Sequence, residues 1–108
     1  MAFTYVQGAE LPDIELTWRD DSGAIIDFST GWTFTARIGV LGQSATLTKT
    51  TGIVGDNTSP NITITWDSTE LNSIPAATYA MHVIARFTSS GKDRILEDEL
   101  VIKPAVLA

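Results

Sequence analysis

A strict alternation of apolar and polar residues between Asp13 and Ile38 limits the fold of this chain more than any other feature. In the run WTFTARI, residues 32–38, every second side chain is apolar. The run DIELTWR, residues 13–19, has the same period. Because successive side chains of a strand point to opposite faces, this period predicts strands that bury one face.

The rest of the chain follows the same pattern. We expect strands at 3–7, 14–19, 24–28, 32–38, 44–51, 61–66, 78–88 and 94–103, with a short extended piece at 53–54. The threonine-rich stretch 44–51 has few apolar anchors and is typical of an edge strand. Seven or eight short strands with no βαβ rhythm predict an all-β antiparallel sandwich, and a small closed barrel is the alternative.

Turn and cap residues separate these strands. Asp20 to Gly23 (DDSG) predicts a turn, since Asp and Ser side chains bind turn amides and glycine accepts a positive φ. Asp67 and Glu70 fit a capping box, and Pro75 limits the helix that follows. We therefore expect one short helical turn near 68–73.

Length and charge narrow the function classes. The 108 residues predict one domain over 1–108, and the absence of cysteine excludes disulfides and thiolate metal sites. A net charge of -6 argues against nucleic-acid partners. The chain has no run of 18 apolar residues, so we expect no membrane span. The first ten residues lack the pattern of a signal peptide, and we expect none.

The chain offers little catalytic chemistry. Its one histidine, His82, lies between core positions of a strand and is expected to face outward. No serine stands in a G-x-S-x-G context. We expect no enzyme activity and no catalytic, cofactor-binding or metal-binding residues.

Acidic residues are the remaining candidates for chemistry. Asp20 and Asp21 are explained by their turn, and Glu97 to Glu99 by a charged strand that discourages edge pairing. A calcium site or a pair of hydrolase carboxylates are the less favoured alternatives. Asp98 shares the parity of the apolar residues of its strand, so we expect either a bulge near 97–98 or a place at the sheet rim.

The tryptophans and the outward-facing apolar residues bear on binding. Trp18, Trp32 and Trp66 have the inward parity of their strands, which favours the core over a sugar-binding platform. Ile84, on the outward face with Ala80 and His82, suggests that this face is partly covered. Ile25, out of phase with Ile26 and Phe28, suggests the same. The terminal residues Phe3, Tyr5, Val6, Val106 and Leu107 either dock on a neighbour or close their own sandwich.

A first resemblance concerns the segment PAATYAM, residues 75–81. It looks like the tyrosine corner of immunoglobulin folds, in which a tyrosine two residues before a buried cysteine bonds back to the backbone. Tyr79 stands in the tyrosine position and Met81 in that of the cysteine. Pro75 stands where an aspartate is common. The resemblance implies an immunoglobulin-like sandwich.

A second resemblance spans nearly the whole chain. The turn RDDSG (19–23), the segment IDFS (26–29) and the strand WTFTARI (32–38) resemble the N-terminal domain of phage baseplate upper proteins. The later segments ITITWD (62–67) and ATY (77–79) also match, with Ala77 in a glycine position.

This resemblance implies a non-enzymatic phage or prophage virion protein of the tail, baseplate or head accessory kind. Such a protein would assemble in the host cytoplasm through contacts with other virion proteins, and as a homo-oligomer. No nucleic-acid or membrane partner is expected. The alternative is a carbohydrate-binding β-sandwich module.

Overall fold

The computed structural model describes residues 2–6, 13–66, 70 and 74–104. The described residues contain eight strands: β1 (Ala2–Val6), β2 (Ile14–Leu16), β3 (Trp32–Gly39), β4 (Leu47–Lys49), β5 (Ile53–Gly55), β6 (Ile62–Ile64), β7 (Ala77–Phe87) and β8 (Lys92–Lys103). The helical turn expected near 68–73 lies outside the described residues except for Glu70, which is in a turn.

The strands form two sheets. One has five strands in the order β1-β8-β7-β3-β4, and the other has three in the order β2-β6-β5. All neighbouring strands are antiparallel except β1, which runs parallel to β8. In an immunoglobulin sandwich the second, fourth and fifth strands share one sheet, and the third, sixth and seventh share the other. With β1 and the extra strand β4 set aside, this chain has that division. The predicted all-β sandwich is confirmed.

The core lies between the inner faces of the two sheets, as the period-two pattern predicts. Along β7 the residues Tyr79, Met81, Val83 and Ala85 are buried and alternate with less buried ones. The small sheet faces them with side chains that are fully shielded from solvent: Ile14, Ile62 and Ile64. Ile38 of β3, equally shielded, lies beside Met81 in the same sheet. Among the described residues, fifteen buried hydrophobic side chains form a single cluster here.

The tyrosine corner forms as the resemblance implies. The hydroxyl of Tyr79 donates to the carbonyl oxygen of Pro75 at 2.6 Å. Met81, in the cysteine position, is fully buried and pairs with Ile38 on β3. The corner therefore keeps its hydroxyl-to-backbone bond although Pro75 replaces the usual aspartate.

Several strands are shorter than the sequence predicts. The strand expected at 24–28 is only an isolated bridge between Arg19 and the half-buried Ile25. The strand expected at 44–51 is regular only at Leu47–Lys49, on one edge of the large sheet. The stretch 44–51 is rich in Ser and Thr, whose side chains compete for backbone hydrogen bonds and limit regular pairing. In the stretch 24–28 the Ile26 carbonyl accepts a hydrogen bond from the Asn61 side chain at 2.9 Å.

The N-terminal strand closes this chain's own sandwich. In β1, Tyr5 is buried and Phe3 packs against the core, whereas Val6 is 49% exposed. Val106 and Leu107 lie outside the described residues. Of the two alternatives for the termini, the described part of the amino end therefore follows the second, in which it packs on its own sandwich.

Candidate contact surface

The outward side of the five-stranded sheet, here called the outer face, has an apolar centre. The structure places Ala80, His82 and Ile84 on this side in half-buried positions, as their parity predicts. Ile84 lies opposite Ile95 of β8 and Thr35 of β3. Directly opposed side chains in antiparallel strands lie close enough to pack, so Ile84 and Ile95 form a pair. Ile95 remains 59% exposed.

Two hydrogen-bonded pairs flank this centre along the same two strands. The Arg86 guanidinium binds the Asp93 carboxylate at 2.7 and 3.2 Å, and His82 Nε2 lies 3.2 Å from Glu97 Oε1. The hydrogen bond from Arg86 lowers the pKa of the Asp93 carboxyl, and the same bond raises the pKa of Arg86. Exposed pairs of this kind contribute little stability. They place polar groups on both sides of the apolar centre.

An exposed loop after β3 extends the apolar surface. Val40 and Leu41 are 51% and 62% exposed. Between this loop and the segment Glu97–Glu99 lies an open groove of about 680 Å³, also lined by Ala80. The groove thus joins an apolar side to an acidic side.

The acidic run at 97–99 does not converge on one point. The pairing of β7 with β8 keeps one register from Ala77–Ile102 to Phe87–Lys92, so the expected bulge near 97–98 is absent. Asp98 instead has the inward parity, half-buried, and accepts a hydrogen bond from the Glu99 amide at 2.8 Å. It lies just before the stretch of β8 that β1 covers, which agrees with the predicted place at the rim.

The turn carboxylates have local roles. Asp20 Oδ1 accepts bonds from the Ser22 hydroxyl and from the Ser22 and Ala24 amides, at 2.6 to 3.1 Å. These bonds, the hydroxyl of Ser22 first, lower the pKa of Asp20. Gly23 has a φ of 87°, as the predicted turn requires. Within the described ranges, no three acidic or histidine side chains are grouped so that they could hold a metal ion.

An aromatic cluster runs from the core to one end of the sandwich. The buried ring of Phe28 contacts Trp18, Trp32 and Phe34, with ring centroids 4.9 to 5.6 Å apart. Trp32 also contacts Phe87, which is 37% exposed, at 5.1 Å. The three tryptophans therefore all contact the core, as predicted, but they are buried to different degrees. Trp66 is buried, whereas Trp18 and Trp32 are half-buried against the core.

Asn61 is a buried polar residue that the sequence analysis missed. Its side-chain oxygen accepts from the Trp18 amide at 2.7 Å, and its nitrogen donates to the carbonyls of Trp18 and Ile26 at 2.8 and 2.9 Å. These bonds replace strand pairing beyond Leu16, so β2 ends there instead of at the predicted residue 19. The sequence places Asn61 at the start of the strand expected at 61–66, where its alternation gives no sign of bonds to residues 35 and 43 positions away.

Lys49 forms a buried ion pair that was also missed. Its ammonium lies 2.6 Å from Glu70 Oε1 and 5.4 Å from the centroid of the Trp66 ring. The side chains are 2% and 15% exposed. Lys49 shares the inward parity of Leu47, which was the available sign in the sequence.

The same end of the core holds a phenol. Trp66 Nε1 donates to the Tyr5 hydroxyl at 3.2 Å. Burial raises the pKa of Tyr5; the bond from Trp66 opposes this, and the charge of Asp13 adds to it. This contact fixes β1 to the core and suits packing better than proton transfer.

No helix among the described residues is long and apolar enough to cross a membrane. Comparison with family models, with curated proteins and with solved structures found no match to this chain.

Proposed function

We propose that this protein is a non-enzymatic structural component of a phage or prophage virion, in the tail, the baseplate or a head accessory position. It acts by protein–protein assembly with other virion proteins, in particles put together in the host cytoplasm. The observation that supports this proposal best is the outer face with its adjoining loop, where Val40, Leu41 and Ile95 are each more than half exposed.

The arrangement of this surface favours a protein partner. Protein interfaces commonly have an apolar centre and a polar rim. Here the Ile84–Ile95 pair lies between the Arg86–Asp93 and His82–Glu97 pairs. All of these side chains stand on a hydrogen-bonded sheet, so a partner meets a surface whose backbone is already ordered. The resemblance to baseplate upper proteins supports a virion as the setting.

The test follows the protein into particles. Particles from the phage or induced prophage that encodes this chain are purified on a density gradient and analysed by mass spectrometry. We expect the chain at a fixed copy number per particle after a high-salt wash. Its absence from washed particles would refute the proposal.

A pair of variants tests the surface itself. The change Leu41→Asp places a charge in the exposed loop, and we expect at least tenfold less incorporation into particles. Val54, 63% exposed on the other sheet, provides the matched control Val54→Asp. Equal incorporation of both variants would remove the outer face from the proposal.

The Trp32–Phe87 pair supports a second candidate, a carbohydrate-binding module. The two rings border an open depression of about 420 Å³ that Lys92, Asp93 and Arg94 also line. Aromatic faces with nearby charged groups are suited to sugars. Titration with oligosaccharides should then change the tryptophan fluorescence and shield it from acrylamide. If no sugar changed either signal and the protein still entered particles, assembly would be the only one of the two candidate functions left.

A further inference from the structure

One half of β8 has a neighbouring strand on one side only. β7 pairs with β8 from Lys92 to Ile102, whereas β1 covers only Glu99–Lys103 on the other side. Within the part of the chain that the structure describes, the stretch Lys92–Asp98, here called the open edge, thus has no second strand beside it. At about 3.3 Å per residue it is roughly 23 Å long.

The open edge has two halves of opposite charge. Its start, Lys92–Arg94, has a net positive charge although it includes Asp93, and Glu97 and Asp98 at its end are acidic. Charges on an edge strand discourage pairing with arbitrary strands. An antiparallel copy of the same sequence, however, sets the basic half of one edge against the acidic half of the other.

We propose that two copies of this chain join through their open edges, antiparallel and centred on Ile95. The contact is isologous, as in most homodimers. The inference rests on the proposed assembly function and names its first partner, a second copy of the chain.

The centre follows from faces and charges. In a continuous sheet, two opposed residues must point to the same face. The register therefore must set odd-numbered residues opposite odd-numbered ones, and even-numbered residues opposite even-numbered ones. Centring on Arg94 would set that guanidinium against its own copy. Centring on Leu96 would set Asp93 against Glu99, next to which β1 already lies. Centring on Ile95 uses the open edge alone.

The Ile95 register gives one favourable contact on each face. On the outer face it sets Ile95 against its copy, beside Ile84 of each chain. On the inner face it sets Lys92 against Asp98. The outer face also sets Asp93 against Glu97, which is unfavourable because the two charges are alike. The Arg86 guanidinium, which binds Asp93, offsets part of this repulsion. Together the contacts extend the apolar centre across the two-fold axis.

The predicted dimer is weak in solution. Pairing two short strands buries less surface than a standard interface, so we expect a Kd on the order of tens of micromolar. Sedimentation between about 5 and 500 μM should show the monomer–dimer transition. A monomer throughout this range would overturn the inference.

The change Ile95→Lys tests the centre, because it sets two ammonium groups against each other. We expect Kd to rise at least tenfold. Val54→Lys is the control, since Val54 is equally exposed on the other sheet and should leave Kd unchanged. A dimer that withstands Ile95→Lys would overturn the inference but leave assembly through another surface standing.

Cross-linking tests the register. The chain has no cysteine, so Ile95→Cys gives a single thiol that faces its own copy. Opposed antiparallel residues have Cα atoms about 4.5 to 5.5 Å apart, within reach of a disulfide. With diamide as the oxidant we expect rapid covalent dimer from Ile95→Cys. In Glu97→Cys the thiols would be about 13 Å apart, and Val54→Cys is remote. Equal rates for the three would overturn the register.

Discussion

The side chain of Asn61 provides the sharpest test of how this fold is held together. The residue is fully shielded from solvent, and its amide group makes three hydrogen bonds to the backbone of Trp18 and Ile26. The change Asn61→Ala leaves one amide and two carbonyls without these partners. A buried polar group left unpaired costs about 1 to 3 kcal/mol.

The low end of that range applies, because Trp18 and Ile26 are half-buried and water can reach part of their backbone. The Trp18 carbonyl still accepts a hydrogen bond from the Ile26 amide at 3.2 Å, so two groups lose their partner, the Trp18 amide and the Ile26 carbonyl. At about 1 kcal/mol each they give a loss of about 2 kcal/mol. For a domain of this size that loss lowers Tm by about 10 °C. Urea unfolding followed by tryptophan fluorescence measures the free energy, and calorimetry measures Tm.

Two further variants define the outcome. Asn57→Ala lies in the same loop at an exposed residue and should change the free energy by less than about 0.5 kcal/mol. Asn61→Asp keeps an acceptor for the Trp18 amide but sets a carboxylate against two carbonyls, so it should be at least as damaging at pH 7. If Asn61→Ala came within about 1 kcal/mol of Asn57→Ala, the reasoning would be refuted.

Three other changes give distinct results. Gly55→Ala sets its Cβ against the Phe28 carbonyl oxygen, well inside van der Waals contact, so unfolding in urea should show a loss of about 3 kcal/mol. Glu70→Ala leaves the Lys49 ammonium buried and unpaired, and the same assay should show a loss of about 3 kcal/mol; an unchanged midpoint would mean that the pair is not closed in solution. The pKa of Asp20 is lowered in the fold, so this carboxylate stabilises the protein above its ordinary pKa of 3.8 and ceases to do so as the pH falls below it. Asp20→Asn should therefore flatten the decline in stability as the pH falls below 3.8, and an unaltered acid profile would contradict this assignment.

Much of the fold could be predicted because backbone geometry imposes the period of two. β3 and β7 extend almost as their alternation indicates, and Tyr79 makes the corner bond. The failures lie where a side chain takes the place of a neighbouring strand. Asn61 ends β2 early, and a hydrogen bond between residues 43 positions apart leaves no local pattern.

The contact surface was predictable only in part. Parity alone places His82 and Ile84 outward, because it depends on one strand. The exposure of Ile95 and Leu41 depends on which elements lie beside them, and that is decided by the order of strands in the sheet. The buried pair of Lys49 and Glu70 likewise joins an edge strand to a distant turn.

The parallel course of β1 beside β8 has a practical consequence for protein engineering. Ala2 lies opposite Glu99, at the point where the open edge ends. A tag fused at the amino terminus would therefore begin next to Asp98. It would compete for the backbone groups of the open edge with which a second chain pairs. A fusion placed after Lys103, at the far end of both strands, would leave those groups accessible.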